Sequence, residues 1–279
     1  MQALALLYHD VVPSGAFGTS GFNLPGADRY KLTVAAFDQH LAAIAAAVKH
    51  NPVRITDDNC LESFLFTVDD GGSSAMHVSD RLESRGWHAH FFITTNYIGT
   101  SGFLTAAELR ELRARGHVIG SHSCSHPMPM WSCTVQQLLE EWRRSREKLE
   151  QILGEPVCAG SVPGGFYCRE IGQAAAESGF AVLFNSEPTR GVCTVGGCRI
   201  LGRYVVLQNT PAAVAARLAA GDPVACGKQQ AFWAMKKLLK KIAPRQYAAA
   251  RTYVLGSSPE PPVSSGEERP FSTTSTKHL

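Results

Sequence analysis

Five places in this 279-residue chain set reactive side chains at the end of an apolar run. His9 and Asp10 follow "ALALLY", and Asp69 and Asp70 follow "SFLFTV". His122 and His126 follow "HVIGS". Ser161 and Pro163-Gly164-Gly165 come at the end of "PVCAGS", and Asn185 and Glu187 at the end of "FAVLFN". The sharpest set is "SHSCSHP", residues 121–127. Its two histidines are four apart, so one helical turn or a tight loop puts both imidazoles on one side. That spacing suits a divalent metal. Two histidines alone are more often structural, because a catalytic zinc site wants a third protein ligand and an open position. An aspartate from another strand end would complete the set. Cys124 lies between the histidines, but at i+2 it points away from their face. "FTVDDGG", residues 66–72, offers two adjacent carboxylates at a glycine turn. Successive strand side chains point to opposite faces. One carboxylate could therefore bind metal while the other accepts a proton. A plain turn with a helix cap is the other reading of an isolated Asp-Asp-Gly.

The elements that must position these residues alternate between strand and helix patterns. Residues 3–9, 63–68, 89–95, 117–121, 156–161 and 180–185 read as strands. Residues 33–50 read as a helix capped by Thr33. Residues 105–116 carry a capping box of Thr105 with Glu108 and a stop at Gly116. Residues 134–154 carry Thr134 with Gln137 and a stop at Gly154, and 168–179 read as a further helix. The alternation predicts a parallel α/β fold, as an open doubly wound sheet or a barrel. In either, the carboxyl ends of the strands converge on one face, where active sites are built.

Composition narrows the class. The net charge is +3 and 44% of residues are hydrophobic, which is ordinary for a globular protein and predicts no nucleic-acid partner. "MQALALLYHDVV" has no basic region ahead of its apolar run, and no apolar run is long enough to span a bilayer. The expected location is cytoplasmic, with a peripheral position at the inner membrane face as the variant. The eight cysteines contain no C-x-x-C pair, so free thiols are expected; Cys193 and Cys198 could pair only in an oxidising compartment. After Gly256 the chain turns to Ser, Pro, Glu and Thr, which predicts disorder over 257–279.

The motifs carry a resemblance. "FTVDDGG" resembles the T-F-D-D-G motif of polysaccharide deacetylases, the NodB-homology domain of carbohydrate esterase family 4, with Val68 where Phe is usual. "SHSCSHP" matches that family's H-[ST]-x-x-H-P motif in full. "SVPGG", residues 161–165, resembles its R-x-P-x-G motif with Ser161 in place of Arg. The similarity covers roughly residues 2–210 and implies a distorted (β/α) barrel over 1–210. Residues 211–256 would then be helices packed on or beside it. The resemblance implies Asp70, His122 and His126 as metal ligands, most simply for Zn2+. It implies Asp69 as general base, and the Gly164 amide, flanked by Pro163 and Gly165, at the oxyanion. The family's late L-x-H motif has no counterpart in "RYVVLQNT", residues 203–210. "LLYHD" resembles the start of the circularly permuted branch, where the acid histidine comes from the first strand, so His9 is the candidate acid. Arg203 could stand in for the missing motif-three arginine.

The implied reaction is removal of an N-acetyl group from an N-acetylated sugar or oligosaccharide. Two alternatives stand beside it. One is a deformylase or deacetylase of a lipid-linked amino sugar. The other is a degenerate carbohydrate-binding member without turnover. Residues 230–247, "QAFWAMKKLLKKIAPRQY", interleave lysines with Phe232, Trp233, Leu238, Leu239 and Ile242. Such a helix can lie on an anionic membrane surface or pack with a solvated basic face.

Overall fold

The computed structural model describes residues 2–56 and 64–242. The chain forms β1 (Leu4–Tyr8), β2 (Val11–Val12), β3 (Leu32–Thr33), α1 (Val34–Ala47), β4 (Phe64–Val68), α2 (Ala75–Glu83), β5 (His90–Ile93) and α3 (Ala106–Ala114). It continues with β6 (Val118–Ser121), α4 (Val135–Leu153), β7 (Ala159–Ser161), α5 (Arg169–Glu177) and β8 (Val182–Phe184). The last elements are β9 (Cys193–Val195), β10 (Cys198–Leu201), β11 (Tyr204–Val205), α6 (Ala212–Ala219) and α7 (Pro223–Ile242).

Nine strands make one curled sheet in the order β11-β1-β4-β5-β6-β7-β8-β10-β9. All neighbours pair in parallel except β9, which is antiparallel to β10. This is the distorted (β/α) barrel expected from the motifs. β1 and β4 are buried at every position, as strands covered on both faces must be. The seam between β6 and β7 is tight. A Cβ at Gly120 would lie 2.6 Å from Ala159 O and from the Phe92 ring, so only glycine lets the two strands close.

The helices obey their local signals. The Thr33 hydroxyl accepts from Ala36 N–H, and both predicted capping boxes form, at Thr105–Glu108 and Thr134–Gln137. α4 ends at Gly154 in the left-handed region and buries Leu138, Trp142, Ser145 and Leu149 at helical spacing.

Some elements depart from the sequence reading. α2 directly after the Asp-Asp-Gly turn, the β9–β10 hairpin and β11 were not anticipated. Each is short, and α2 has only two large aliphatic residues on its buried face, Val78 and Leu82. The helix placed over 230–247 begins earlier, at Pro223, and residues 243–247 lie outside the described residues. So does the 257–279 tail. Cys193 and Cys198 are free and are not cross-strand partners, since Cys193 faces Ile200 and Cys198 faces Val195. Among the described residues no helix is long and apolar enough to cross a membrane.

Candidate active site

The site lies where β1, β4, β6 and β7 end. Asp70, His122 and His126 offer ligand atoms that all lie within 4.8 Å of one another. Asp70 Oδ1 is 3.4 Å from His122 Nε2 and 3.6 Å from His126 Nε2. His122 Nδ1 lies 3.0 Å from the Ser161 carbonyl. That bond commits the Nδ1 proton outward and turns Nε2 toward Asp70, as the nitrogen that would ligate a metal on giving up its own proton.

Two of the three candidate ligands sit on strained backbone. Asp70 has φ 79° and His126 φ 61°, in the left-handed region that non-glycine residues rarely enter. Such strain persists only where the surroundings over-determine it, and it concentrates at functional sites. The surroundings here are explicit. Ser121 Oγ accepts from Ser123 N–H and Ser123 Oγ accepts from His126 N–H. Glu141, reaching from α4, accepts from the N–H groups of Cys124 and Ser125 and from the Ser125 hydroxyl. Cys124 turns its thiol to Asn96, away from the ligands, as its spacing required.

Asp69 is almost dry, at 3% exposure, and it does not stand with the ligands. Its Oδ1 accepts from Arg203 at 2.7 Å, and its Oδ2 accepts from Arg203 at 2.8 Å and from the Ser161 hydroxyl at 3.0 Å. Arg203 is fully buried between the faces of Phe92 and Phe184. It also donates to the hydroxyls of Ser161 and Thr67 and to the Asn185 carbonyl, so every donor of its guanidinium fork is used. Arg203 thus reaches Asp69 from the β10–β11 turn and meets it beside Ser161, which contacts both.

The electrostatics follow. Burial pushes the Asp69 carboxyl up, but the Arg203 and His122 charges outweigh it and hold the group below the usual carboxylate range. Asp70 is lowered in the same sense, its burial outweighed by a hydrogen bond from His122 and the charges of His9 and His126. His122 is raised: burial lowers it, and Asp69 and Asp70 more than reverse that. His126 is pushed down to about 4 by burial and by the neighbouring His122.

The other predicted residues divide. His9 packs on Tyr30 with ring centroids 4.8 Å apart, and its Nδ1 is buried without a hydrogen-bond partner among the described residues. Asp10 is not its partner. Asp10 turns away to accept from Ser20 and Ser74, under Gly21 and Gly72, where any Cβ would collide with its carboxylate. Pro163–Gly165 form a 3-10 turn right after β7. Gly165 N–H is spent on Val162 O, and a Cβ there would strike Ser186. Gly164 takes a left-handed φ of 64° within that turn. Asn185 and Glu187 do not join the site: Asn185 holds Arg203 through its carbonyl, and Glu187 pairs with Lys237. Glu141 was missed, because a helix residue that clamps a loop leaves no mark in a motif.

Fold and donor set define a (β/α) barrel with a candidate cation centre at the carboxyl ends of its strands. Residues 57–183 match the polysaccharide deacetylase family model. Over 125 residues the chain is 27% identical to YxkH of Bacillus subtilis, which bears a polysaccharide deacetylase name; the match covers 44% of each protein. The chain spans under half the length of the curated relatives it matches, 39% and 44%. A polysaccharide deacetylase structure from Bacillus cereus superposes with a TM-score of 0.65 at 18% identity, covering 78% of this chain and 69% of that one. The Streptococcus pyogenes deacetylase PplD, solved with acetate, superposes with a TM-score of 0.63 at 19% identity, covering 76% of this chain and 95% of that one.

Proposed function

We propose that the protein is a metal-dependent hydrolase that removes the N-acetyl group from an N-acetylated sugar or oligosaccharide. The observation that carries this is the division of labour at Asp69-Asp70. Asp70 joins two histidine nitrogens in a compact set, while Asp69 is held ionised and apart by Arg203. The donor set fits a small divalent cation, since one carboxylate and two imidazoles with one nitrogen committed outward is the chemistry such an ion takes. Zn2+ is the simplest occupant. When bound, the cation would polarise the acetyl carbonyl and make water a stronger nucleophile.

The chain's own residues supply the rest. Asp69 Oδ2, 3.8 Å from His122 Nε2, is the oxygen turned toward the ligands, and it accepts the proton of the attacking water. Arg203 and Ser161 keep that oxygen oriented and ionised. The Gly164 amide lies on the turn beside the site, where it can donate to the developing oxyanion. His9, at the end of the first strand, is the residue proposed to give a proton to the departing amine. In the circularly permuted reading, the first strand delivers this acid in place of the absent late histidine.

A lipid-linked amino sugar is the second substrate reading, favoured by the exposed apolar and basic helix α7 beside the site. A degenerate binder has less support, since it has no use for a buried counter-ion on Asp69. The test is acetate release from N-acetylated oligosaccharides by protein loaded with Zn2+. Asp69→Asn is expected to keep the metal and lose roughly a hundredfold or more in turnover. His9→Ala is expected to lose turnover with metal retained and to flatten the alkaline limb of the pH–rate profile. Asp69→Asn with full activity, or wild-type protein that holds metal but turns over no N-acetylated substrate, refutes the reading.

A further inference from the structure

Helix α7 has a face that stays exposed among the described residues. At 3.6 residues per turn, Val224, Ala231, Phe232, Met235 and Leu238 fall within about 120° of its circumference, with Lys228 the one charged residue among them. Val224, Phe232, Met235 and Leu238 are each roughly half exposed. The opposite face is spent on the barrel. Ala225 and Cys226 are buried, Gln229 exchanges hydrogen bonds with the Val205 backbone, and Trp233 stacks on Phe166.

Charge is as uneven as hydropathy. Residues 223–242 contain Lys228, Lys236, Lys237, Lys240 and Lys241 and no acidic residue. The whole chain carries +3, so the remaining residues are net acidic by two. Of Lys228, Lys236 and Lys237, only Lys237 has an acidic partner among the described residues, Glu187. Lys228 and Lys236 bracket Phe232 at four residues on either side, and the Lys236 ammonium lies 4.4 Å from the Phe232 ring centroid. Arg29, also without an acidic partner among the described residues, approaches closely enough to help lower the Lys236 pKa, after burial.

We infer that α7 lies in the interface of an anionic lipid bilayer, with the Val224–Phe232–Met235–Leu238 stripe in the acyl boundary and Lys228 and Lys236 among the headgroups. Other occupants fit less well. A second copy would set Lys228 and Lys236 against the same two lysines. A nucleic acid would satisfy the lysines and offer nothing to the apolar stripe. A bilayer surface satisfies both, and lysine stems reach outward from an apolar face to do so. The placement matters for the site. The carboxyl-terminal half of α7 contacts Phe166, which follows the Pro163–Gly165 turn, and Glu187, which follows β8. Docking therefore brings lipid to the rim where the strands end. It would present membrane-borne substrates to that rim without altering the chemistry inside.

The test is sedimentation of the full chain with phosphatidylcholine vesicles, with and without phosphatidylglycerol. Binding is expected only to the anionic vesicles and should fall with added salt. Phe232→Ser with Met235→Ser should weaken partitioning by roughly tenfold or more, and Lys228→Glu by about fivefold or more. These exposed positions lie outside the site, so activity on a soluble substrate and the melting temperature should not move. That separates failure of docking from failure of the deacetylase reading. Wild-type protein that stays in the supernatant with anionic vesicles overturns the inference. So does a wild-type dimer that the Phe232→Ser/Met235→Ser variant converts to monomer, because the stripe would then be an interface between copies.

Discussion

Replacing Arg203 by Met keeps much of the side chain's length and removes its charge. Asp69 would then be a buried carboxylate with one remaining hydroxyl partner, Ser161, instead of a bidentate guanidinium. Breaking a buried pair by deleting one partner costs roughly 3–5 kcal/mol, because the surviving charge is left uncompensated. At about 2–4 °C per kcal/mol for a domain of this size, the melting temperature should fall by about 6–20 °C near neutral pH. The pH dependence carries a sign. Asp69 is depressed in the folded protein, so its contribution is present above the unfolded value near about 3.9 and is lost as pH falls through the folded value. The gap in stability between wild type and Arg203→Met should therefore close toward acid pH. With the guanidinium gone, burial dominates and raises the carboxyl, so the acid limb of the pH–rate profile should move to higher pH. Arg203→Lys should be intermediate, since one ammonium cannot supply two parallel bonds. Thermal melts from pH 3 to 8, paired with acetate-release profiles, read both effects. A Met variant that melts within about 1 kcal/mol of wild type and keeps its acid limb would refute the role of Arg203 as counter-ion.

Three further outcomes follow from other parts of the molecule. His122→Ala and His126→Ala should each abolish stoichiometric zinc uptake in elemental analysis after dialysis, while the fold by circular dichroism persists; full occupancy in the double variant would remove the metal assignment. The Asp10 carboxyl is raised, chiefly by burial, so its ionisation costs stability as pH rises through the folded value; Asp10→Asn should lose ground to wild type at low pH and gain on it toward neutral, and a constant difference in melting temperature across that range would refute this. Burial pushes the Cys198 thiol up to about 12, whereas Cys158 and Cys193 are exposed; alkylation at mild alkaline pH, mapped by mass spectrometry, should label Cys158 and Cys193 and spare Cys198 until the protein unfolds.

Local signals were legible and long-range partnerships were not. Thr33, the two capping boxes and Gly154 mark their helix ends because caps act within four residues. The spacing of His122 and His126 and the Asp-Asp-Gly at another strand end pointed to a metal set, and the family resemblance singled out Asp70 as its third member. The rule that strand ends supply the site was too generous. Asp10, Asn185 and Glu187 also follow strands, yet each is spent on structure. A carboxylate in sequence cannot say whether a serine 64 residues later will cover it. Arg203 shows the same limit from the other side. It could be named as a substitute, but only the curl of the sheet brings it to a residue 134 positions earlier. Glu141 was invisible for want of any local pattern.

The position of Arg203 along the chain also matters for assembly. The stretch that matches the family model stops at residue 183, twenty positions before this arginine. A fragment cut at that boundary would contain Asp70, His122 and His126 and the proposed base Asp69, but not the guanidinium that lets the Asp69 carboxylate be both ionised and dry. Its barrel would lack β9, β10 and β11 as well. During synthesis the same order holds: the ligand loops emerge first, and the counter-ion arrives only as the last strands close against β1 and β8. Addition of the last strands and ionisation of the buried Asp69 are then one event. On the proposed roles, a nascent or truncated chain would carry the first two motifs and still lack an ionised base.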